Sequence, residues 1–179
     1  MMKRSRLCAW TAVVSVGAGV MCAHAAPPCG ADGWNLTHEQ ALFAGTPRVV
    51  HAGKDPTAAP EVKTDRLYRL TLTAQQNVTF AAAPGKKALT DGAYAGIVRF
   101  KVPSAGTYRV AIDRPFWVDV VQDGKLITST DFTGERGCEP HKIVAYDVPA
   151  GMLLLQVSGQ VNPQVSISIT RAPPPANSH

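Results

Sequence analysis

Three observations predict an all-β fold, an antiparallel β-sandwich of jelly-roll type. Short runs of alternating apolar and polar residues recur from Arg66 to Thr170, turn residues separate them at roughly ten-residue intervals, and no sustained helical period competes. A small closed barrel has the same alternation and stays open as the structural alternative.

Residues 66–72 put Tyr68, Leu70 and Leu72 on one face and Arg69 and Thr71 on the other, the period-two pattern of a half-buried strand. Val78 and Phe80 repeat the pattern in a shorter segment. Residues 81–92, with Pro84, Gly85, Asp91 and Gly92, have no period and read as a loop. Residues 94–102 alternate again with Val98, Phe100 and Val102 inward, and Pro103 to Gly106 turns the chain into residues 107–113, where Tyr108, Val110 and Ile112 share a face. Residues 117–122 follow, and Asp123-Gly124 is the strongest hairpin signal in the chain because both residues tolerate positive φ. Residues 125–130 return from that turn. Residues 142–148, 152–158 and 164–170 complete a set of about eight or nine strands, the last with Val165, Ile167 and Ile169 inward against Ser166, Ser168 and Thr170. Val102-Pro103-Ser104-Ala105-Gly106 is echoed by Val148-Pro149-Ala150-Gly151, and the pair reads as one hairpin turn used twice.

Ahead of these strands the text is mixed. Residues 34–43 read as one short helical turn, Arg48 to His51 as a strand, and the stretch up to Pro60 as a polar loop. Residues 26–60 are therefore expected to form an irregular N-terminal cap or edge of the same domain, with the sandwich proper over 61–171. The tail 172–179, with three consecutive prolines, reads as disordered.

The first residues address the chain outward. Lys3, Arg4 and Arg6 precede an uncharged run from Leu7 to Met21, the n-region and h-region of a signal peptide, and Ala23 and Ala25 suit cleavage before Ala26. The run covers 15 residues, short of the ~20 that a retained membrane anchor needs. A lipoprotein reading would acylate Cys22, but Val20 and Met21 stand where small residues are expected. Removing residues 1–25 from 179 leaves 154, one domain's worth, with no integral membrane segment, in the periplasm or secreted. Lys plus Arg fall from 18 to 15 against 13 Asp plus Glu once Lys3, Arg4 and Arg6 are gone. That near-balance excludes the electrostatic footprint of a nucleic-acid binder. Cys8 and Cys22 leave with the leader too, and the two survivors, Cys29 and Cys138, pair with each other most simply in an oxidising compartment. A thiol or metal pair would want a CxxC or a histidine at ligand spacing, and neither is present.

No residue stands out as catalytic. His38, His51, His141 and His179 make no HxH, HxxxH or HExxH, so a metal site would need convergence from separate loops with Glu39, Asp131, Glu135 or Glu139; otherwise they are surface histidines. No GxSxG elbow occurs. Asp119, Asp123 and Asp131 are the carboxylates a glycosidase pairing would draw on, yet Asp123 is committed to its turn. The richest segment is residues 116–125. Alternation sends Trp117 and Asp119 to one side and Val118, Val120 and Gln122 to the other. If the valines are core, Trp117 beside Asp119 makes a platform for a sugar ring or another small polar ligand, with Tyr94, Trp34 and Tyr146 as candidate further members. If Trp117 is core, Asp119 is a buried, hydrogen-bonded exception.

The phrases Gly96-Ile97-Val98-Arg99-Phe100, Ala105-Gly106-Thr107-Tyr108-Arg109-Val110-Ala111, residues 117–125, Cys138 followed by Lys142, and Leu155-Gln156-Val157-Ser158 resemble a family of small exported bacterial β-proteins. Members of that family often carry the label homogentisate 1,2-dioxygenase, which implies a non-haem iron enzyme. Such an iron needs two histidines and a carboxylate on one face, and no such triad is written here. The Gly-Tyr and Asp-Gly-Lys hairpins are similar to those of carbohydrate-binding and prepeptidase-type jelly rolls, which implies a ligand-binding or accessory role. The expectation is an exported, non-catalytic binding module without a cofactor or metal. It would meet a small polar ligand, a glycan or an envelope protein through Trp117, Asp119 and Tyr94. The alternatives are a metal-dependent dioxygenase-type enzyme and a structural envelope protein.

Overall fold

The computed structural model describes Cys29, residues 33–86 and residues 91–173. The predicted leader, 1–25, and residues 174–179 of the predicted tail lie outside the described residues. In chain order the elements are α1 (Thr37–Phe43), β1 (Arg48–His51), β2 (Glu61–Val62), β3 (Leu67–Thr71), β4 (Thr73–Ala74), β5 (Tyr94–Val102), β6 (Gly106–Ile112), β7 (Trp117–Gln122), β8 (Lys125–Ile127), β9 (Ser129–Gly134), β10 (Lys142–Val148), β11 (Gly151–Gln160) and β12 (Gln164–Arg171).

These strands form two sheets, one in the order β1-β3-β12-β6-β10-β9, the other β2-β5-β11-β7-β8 with β4 beside β5. Four antiparallel pairs, β3·β12, β5·β11, β6·β10 and β7·β8, make the framework. Their distribution, β3-β12-β6-β10 in one sheet and β5-β11-β7-β8 in the other, is the strand order of a jelly roll. The expected sandwich is therefore present, with twelve strands among the described residues. Purely antiparallel it is not, because β1 pairs β3 and β2 pairs β5 in parallel.

Alternation decides what the sheets bury between them. Tyr68 and Leu70 of β3, Tyr108, Val110 and Ile112 of β6, and Val165, Ile167 and Ile169 of β12 meet Val98, Phe100, Val118, Val120, Leu153 and Leu155 from the opposite sheet in one apolar cluster. The two Val-Pro phrases are not hairpin turns. Pro103 to Gly106 leads from β5 in one sheet to β6 in the other, and Pro149 and Ala150 lead from β10 to β11 across the same gap. The two corners stack, since Val102 pairs with Gly151 and Gly106 with Val148. Gly106 and Gly151 leave the corners at φ 154° and 138°, a conformation that L side chains rarely adopt. The echo in the sequence thus records two stacked crossovers. Asp123 and Gly124, at φ 49° and 74°, do form the expected tight hairpin between β7 and β8.

Two other expectations change. Val78 and Phe80 are not in a strand: after β4 the chain makes a 3-10 turn, Gln75–Asn77, and runs on irregularly. Residues 125–130 are not one return strand. The chain leaves β8 at Ile127, passes Thr128 and enters the other sheet as β9, whose side chains are mostly exposed. A two-residue edge strand such as β2 has too few residues to show a period.

Both outer faces are covered. On the first sheet α1 lies over β6 and β12, where Phe43 packs with Leu36, Leu67, Ala111 and Ile143. Glu39, 1% exposed, accepts from Thr170 Oγ1 at 2.8 Å and pairs with Arg109 Nη1 at 3.4 Å. The Arg109 guanidinium also sits 4.4 Å from the centre of the Trp34 ring. Within the stretch expected as an irregular cap or edge, α1 is thus pinned by a buried ion pair. Over the second sheet run two loops, residues 53–60, held by Arg99 side-chain bonds to the carbonyls of Ala59 and Thr57, and residues 81–86. Cys29 is joined to Cys138 across 109 residues, with Cα atoms 5.7 Å apart. A disulfide of this kind belongs to an oxidising, non-cytoplasmic compartment. Among the described residues no helix is long and apolar enough to cross a membrane.

Candidate functional site

Val118 and Val120 of β7 belong to the inter-sheet core, so Trp117 and Asp119 emerge on the outer face, Trp117 half-buried. Asp119 pairs across the ladder with Gln156, and Trp117 with Ser158. Asp119 is nevertheless only 7% exposed, because the loop 81–86 lies over it. That loop is tied at two points: Gln156 Nε2 donates to Ala82 O at 2.9 Å, and the Gly85 N–H donates to Asp119 Oδ2 at 3.2 Å. The other carboxylate oxygen, Oδ1, accepts from Trp117 Nε1 at 2.9 Å. The carboxylate expected to touch a ligand is therefore spent on orienting the indole and anchoring the loop.

The same loop carries Lys86 to 5.8 Å from the centre of the Trp117 ring, and Lys142 comes to 5.6 Å from it. Lys142 opens β10 with the inward parity of Val144, Tyr146 and Val148, so its stem runs into the gap between the sheets. Its Nζ donates to Phe116 O at 2.8 Å. Burial lowers the Lys142 pKa, Lys86 adds to the lowering, and Asp119 opposes it. Further along the same face of β10, the Tyr146 hydroxyl donates to Val118 O at 2.9 Å, and burial, reinforced by Asp119, holds that phenol protonated well above its ordinary range.

Trp117, Asp119, Lys142 and Tyr146 line a cleft of about 400 Å³ where β7 and β8 diverge from β9 and β10, and Lys86 reaches the indole from outside that lining. The chain switches sheets at Thr128, and the wedge this opens is walled by Leu126, Ile127, Phe132 and Val144, with Trp117 and Lys142 on its rim. Phe132 is 71% exposed and Leu126 39%, although each is a large apolar side chain beside a preformed cavity. No family model and no curated protein matches this chain. The chemistry of the cleft is therefore the guide to what the chain can do.

Of the predicted site residues, Trp117, Asp119 and Tyr146 come together at this cleft; Trp34, beside Arg109 on the other sheet, and Tyr94 do not. Tyr94 opens β5 with the parity of Val98 and Phe100 and packs against the inter-sheet core, so it faces the interior. Sequence reasoning does not find Lys86, Leu126, Phe132 or Lys142. A lysine on the inward face of an otherwise apolar alternation is the signal available for Lys142. Phe132, alone in a polar stretch, gives none.

The donor chemistry of a metal centre does not assemble among the described residues. Among the described residues no group of three or more His, Cys, Asp and Glu stands close enough to hold a metal ion. His38 Nε2 lies 2.9 Å from Asp65, His51 is exposed on the edge strand β1, and Glu39 is locked under α1. The residues present do not fit the two-histidine, one-carboxylate iron of the dioxygenase label. The carboxylates a glycosidase pairing would draw on have local partners: Asp119 is bonded as above, Asp123 shapes its turn, and Asp131 accepts the Phe132 N–H at 2.8 Å. A second cavity, about 350 Å³ at the opposite edge, is lined by Arg48, Lys63 and Arg66, all exposed.

Proposed function

We propose that this chain is an exported, non-catalytic binding module of the cell envelope that takes a small ligand in the cleft around Trp117. One observation carries the reading: a preformed cleft of about 400 Å³ whose apolar walls, Phe132 and Leu126, stay open to solvent beside a positioned indole. A volume of that size suits a small molecule, and few polar groups on largely apolar walls are the usual composition of such a site. Export is supported by the cationic start and apolar run ahead of Ala26, and by the disulfide, which belongs to the periplasm or the exterior. Asp119 contributes by positioning Trp117 and the loop carrying Lys86; contact with ligand falls to the indole and the apolar walls.

The test is a titration of isotope-labelled exported chain with maltotetraose, dodecyl maltoside and laurate, read at the Trp117 indole N–H and the Leu126 and Phe132 signals. At least one probe is expected to shift them saturably, and Trp117→Ala is expected to abolish saturation while the chain stays folded. If all three leave these signals unmoved, the binding reading is wrong. Stoichiometric iron or zinc in untagged protein would instead return the chain to the metal-enzyme class.

A further inference from the structure

We infer that the cleft selects an anionic amphiphile, a single apolar body carrying a carboxylate, sulfonate or phosphate head. This rests on the reading that the cleft is a ligand site. The apolar body is called for by the walls, where Leu126, Ile127, Phe132 and Val144 offer nothing to satisfy a hydroxyl-rich ligand. Thr128 and Ser129 put two exposed hydroxyls in the lining, while its carboxylate and its phenol are already engaged. Asp119 accepts from Trp117 Nε1 and the Gly85 N–H, and the Tyr146 hydroxyl gives its proton to Val118 O. A sugar ring stacked on Trp117 would meet those two hydroxyls and the Lys142 ammonium but otherwise four apolar side chains, too few partners for its own hydroxyls.

The charge of the head follows from the two ammonium groups. Lys86 and Lys142 stand 5.8 and 5.6 Å from the centre of the same indole, against the single carboxylate of Asp119. Lys142 spends one of its three donors on Phe116 O and keeps two. Its amine is partly desolvated and stands near a second cation, a placement that an incoming anion relieves and an incoming cation worsens. The indole lines the cleft beside the apolar walls and has both ammonium groups near its ring, so one ligand with a greasy body and an acidic head satisfies both.

Three ligands with the same twelve-carbon body test this: laurate, dodecyltrimethylammonium and dodecyl maltoside, each below its micelle concentration, with maltose as the head alone. Laurate is expected to bind the exported chain about tenfold more tightly than the other two, the scale of a few partly screened charge contacts. Lys86→Met, an exposed change, and Lys142→Met are each expected to weaken laurate several-fold and leave dodecyl maltoside unchanged. Lys142→Met also removes the bond to Phe116 O, so the Lys86 variant decides the matter if the Lys142 variant fails to fold. Sedimentation with phosphatidylglycerol vesicles, lost in Lys86→Met, would place the acidic head in a membrane lipid; laurate binding without sedimentation would make it a free amphiphile, and either supports the inference. Equal affinity for all three heads, or laurate binding indifferent to Lys86→Met, overturns the inference and leaves the binding module standing. A shift of Trp117 by maltose alone makes the cleft a glycan site. No shift with any ligand removes the site itself.

Discussion

Asp119→Asn keeps the size of the side chain and removes one acceptor, which isolates what the carboxylate does. In the native chain both oxygens are used, Oδ1 by Trp117 Nε1 at 2.9 Å and Oδ2 by the Gly85 N–H at 3.2 Å. An amide has one oxygen for these two donors, and whichever way it turns, its NH₂ faces an N–H. One charge-assisted bond is lost and the other becomes neutral; with such bonds contributing about 1.5–3 kcal/mol each, the substitution costs about 2–3 kcal/mol. For a domain of this size that is a fall of about 5–10 °C in melting temperature. The loop 81–86 then keeps only its Gln156 tether, so Lys86 leaves the indole and Trp117 becomes more solvated. Thermal melting by circular dichroism measures the first effect, and a red shift of tryptophan emission, recorded in a Trp34→Phe background, the second. A melting point within about 1 °C of the parent, far below the shift expected for a domain of this size, with emission unchanged, would refute the assignment of Asp119 as anchor of the indole and loop.

Replacing both Cys29 and Cys138 by Ser opens a loop of 109 residues, and the chain-entropy model sets the loss at up to about 5 kcal/mol; a urea midpoint unchanged from the oxidised parent would contradict it. Alkaline pH should act through Tyr146. Its folded pKa is raised, so above about 10 the unfolded chain releases a proton that the folded chain keeps, and stability falls by up to about 1.4 kcal/mol per pH unit. Lys142, whose folded pKa is lowered, works the other way: stability rises as pH climbs through its folded value toward 10.5, where the unfolded amine also loses its proton. Tyr146→Phe should flatten the fall above pH 10 in urea titrations and cost about 1 kcal/mol at neutral pH, because Val118 O loses its donor. Glu39→Ala leaves the Arg109 guanidinium buried without its partner and should destabilise by about 3 kcal/mol in the same assay, whereas a change below about 0.5 kcal/mol would show, on the scale of solvated pairs, that water replaces the carboxylate.

How much is legible differs sharply between elements. The strands from Tyr94 to Val102 and from Lys142 to Val148 are read at their observed ends, because one face of each packs into the inter-sheet core and the period is imposed by burial. β9 escapes because its exposed residues are under no such constraint. The Pro-Gly phrases are visible as corners, but a corner that pairs two strands and one that carries the chain between sheets use the same residues. Only the ladder, with Val102 opposite Gly151, distinguishes them.

The site divides along the same line. Alternation alone puts Trp117 and Asp119 on one side of β7 and the valines on the other, since neighbouring residues of a strand must point to opposite faces. Whether that side is solvent or core, and who else stands there, depends on contacts distant in sequence. Residues 81–86 fold back over Asp119, β8 and β9 part at Thr128, and Lys142 enters from the other sheet. Sequence by itself determined the fold class, the cysteine pair and the faces of the central strands, because each is set by local period or by composition. Only the tertiary structure decided that Asp119 is an anchor, that Tyr94 faces inward and that two lysines flank one indole, because each of these is a meeting of residues that nothing local brings together.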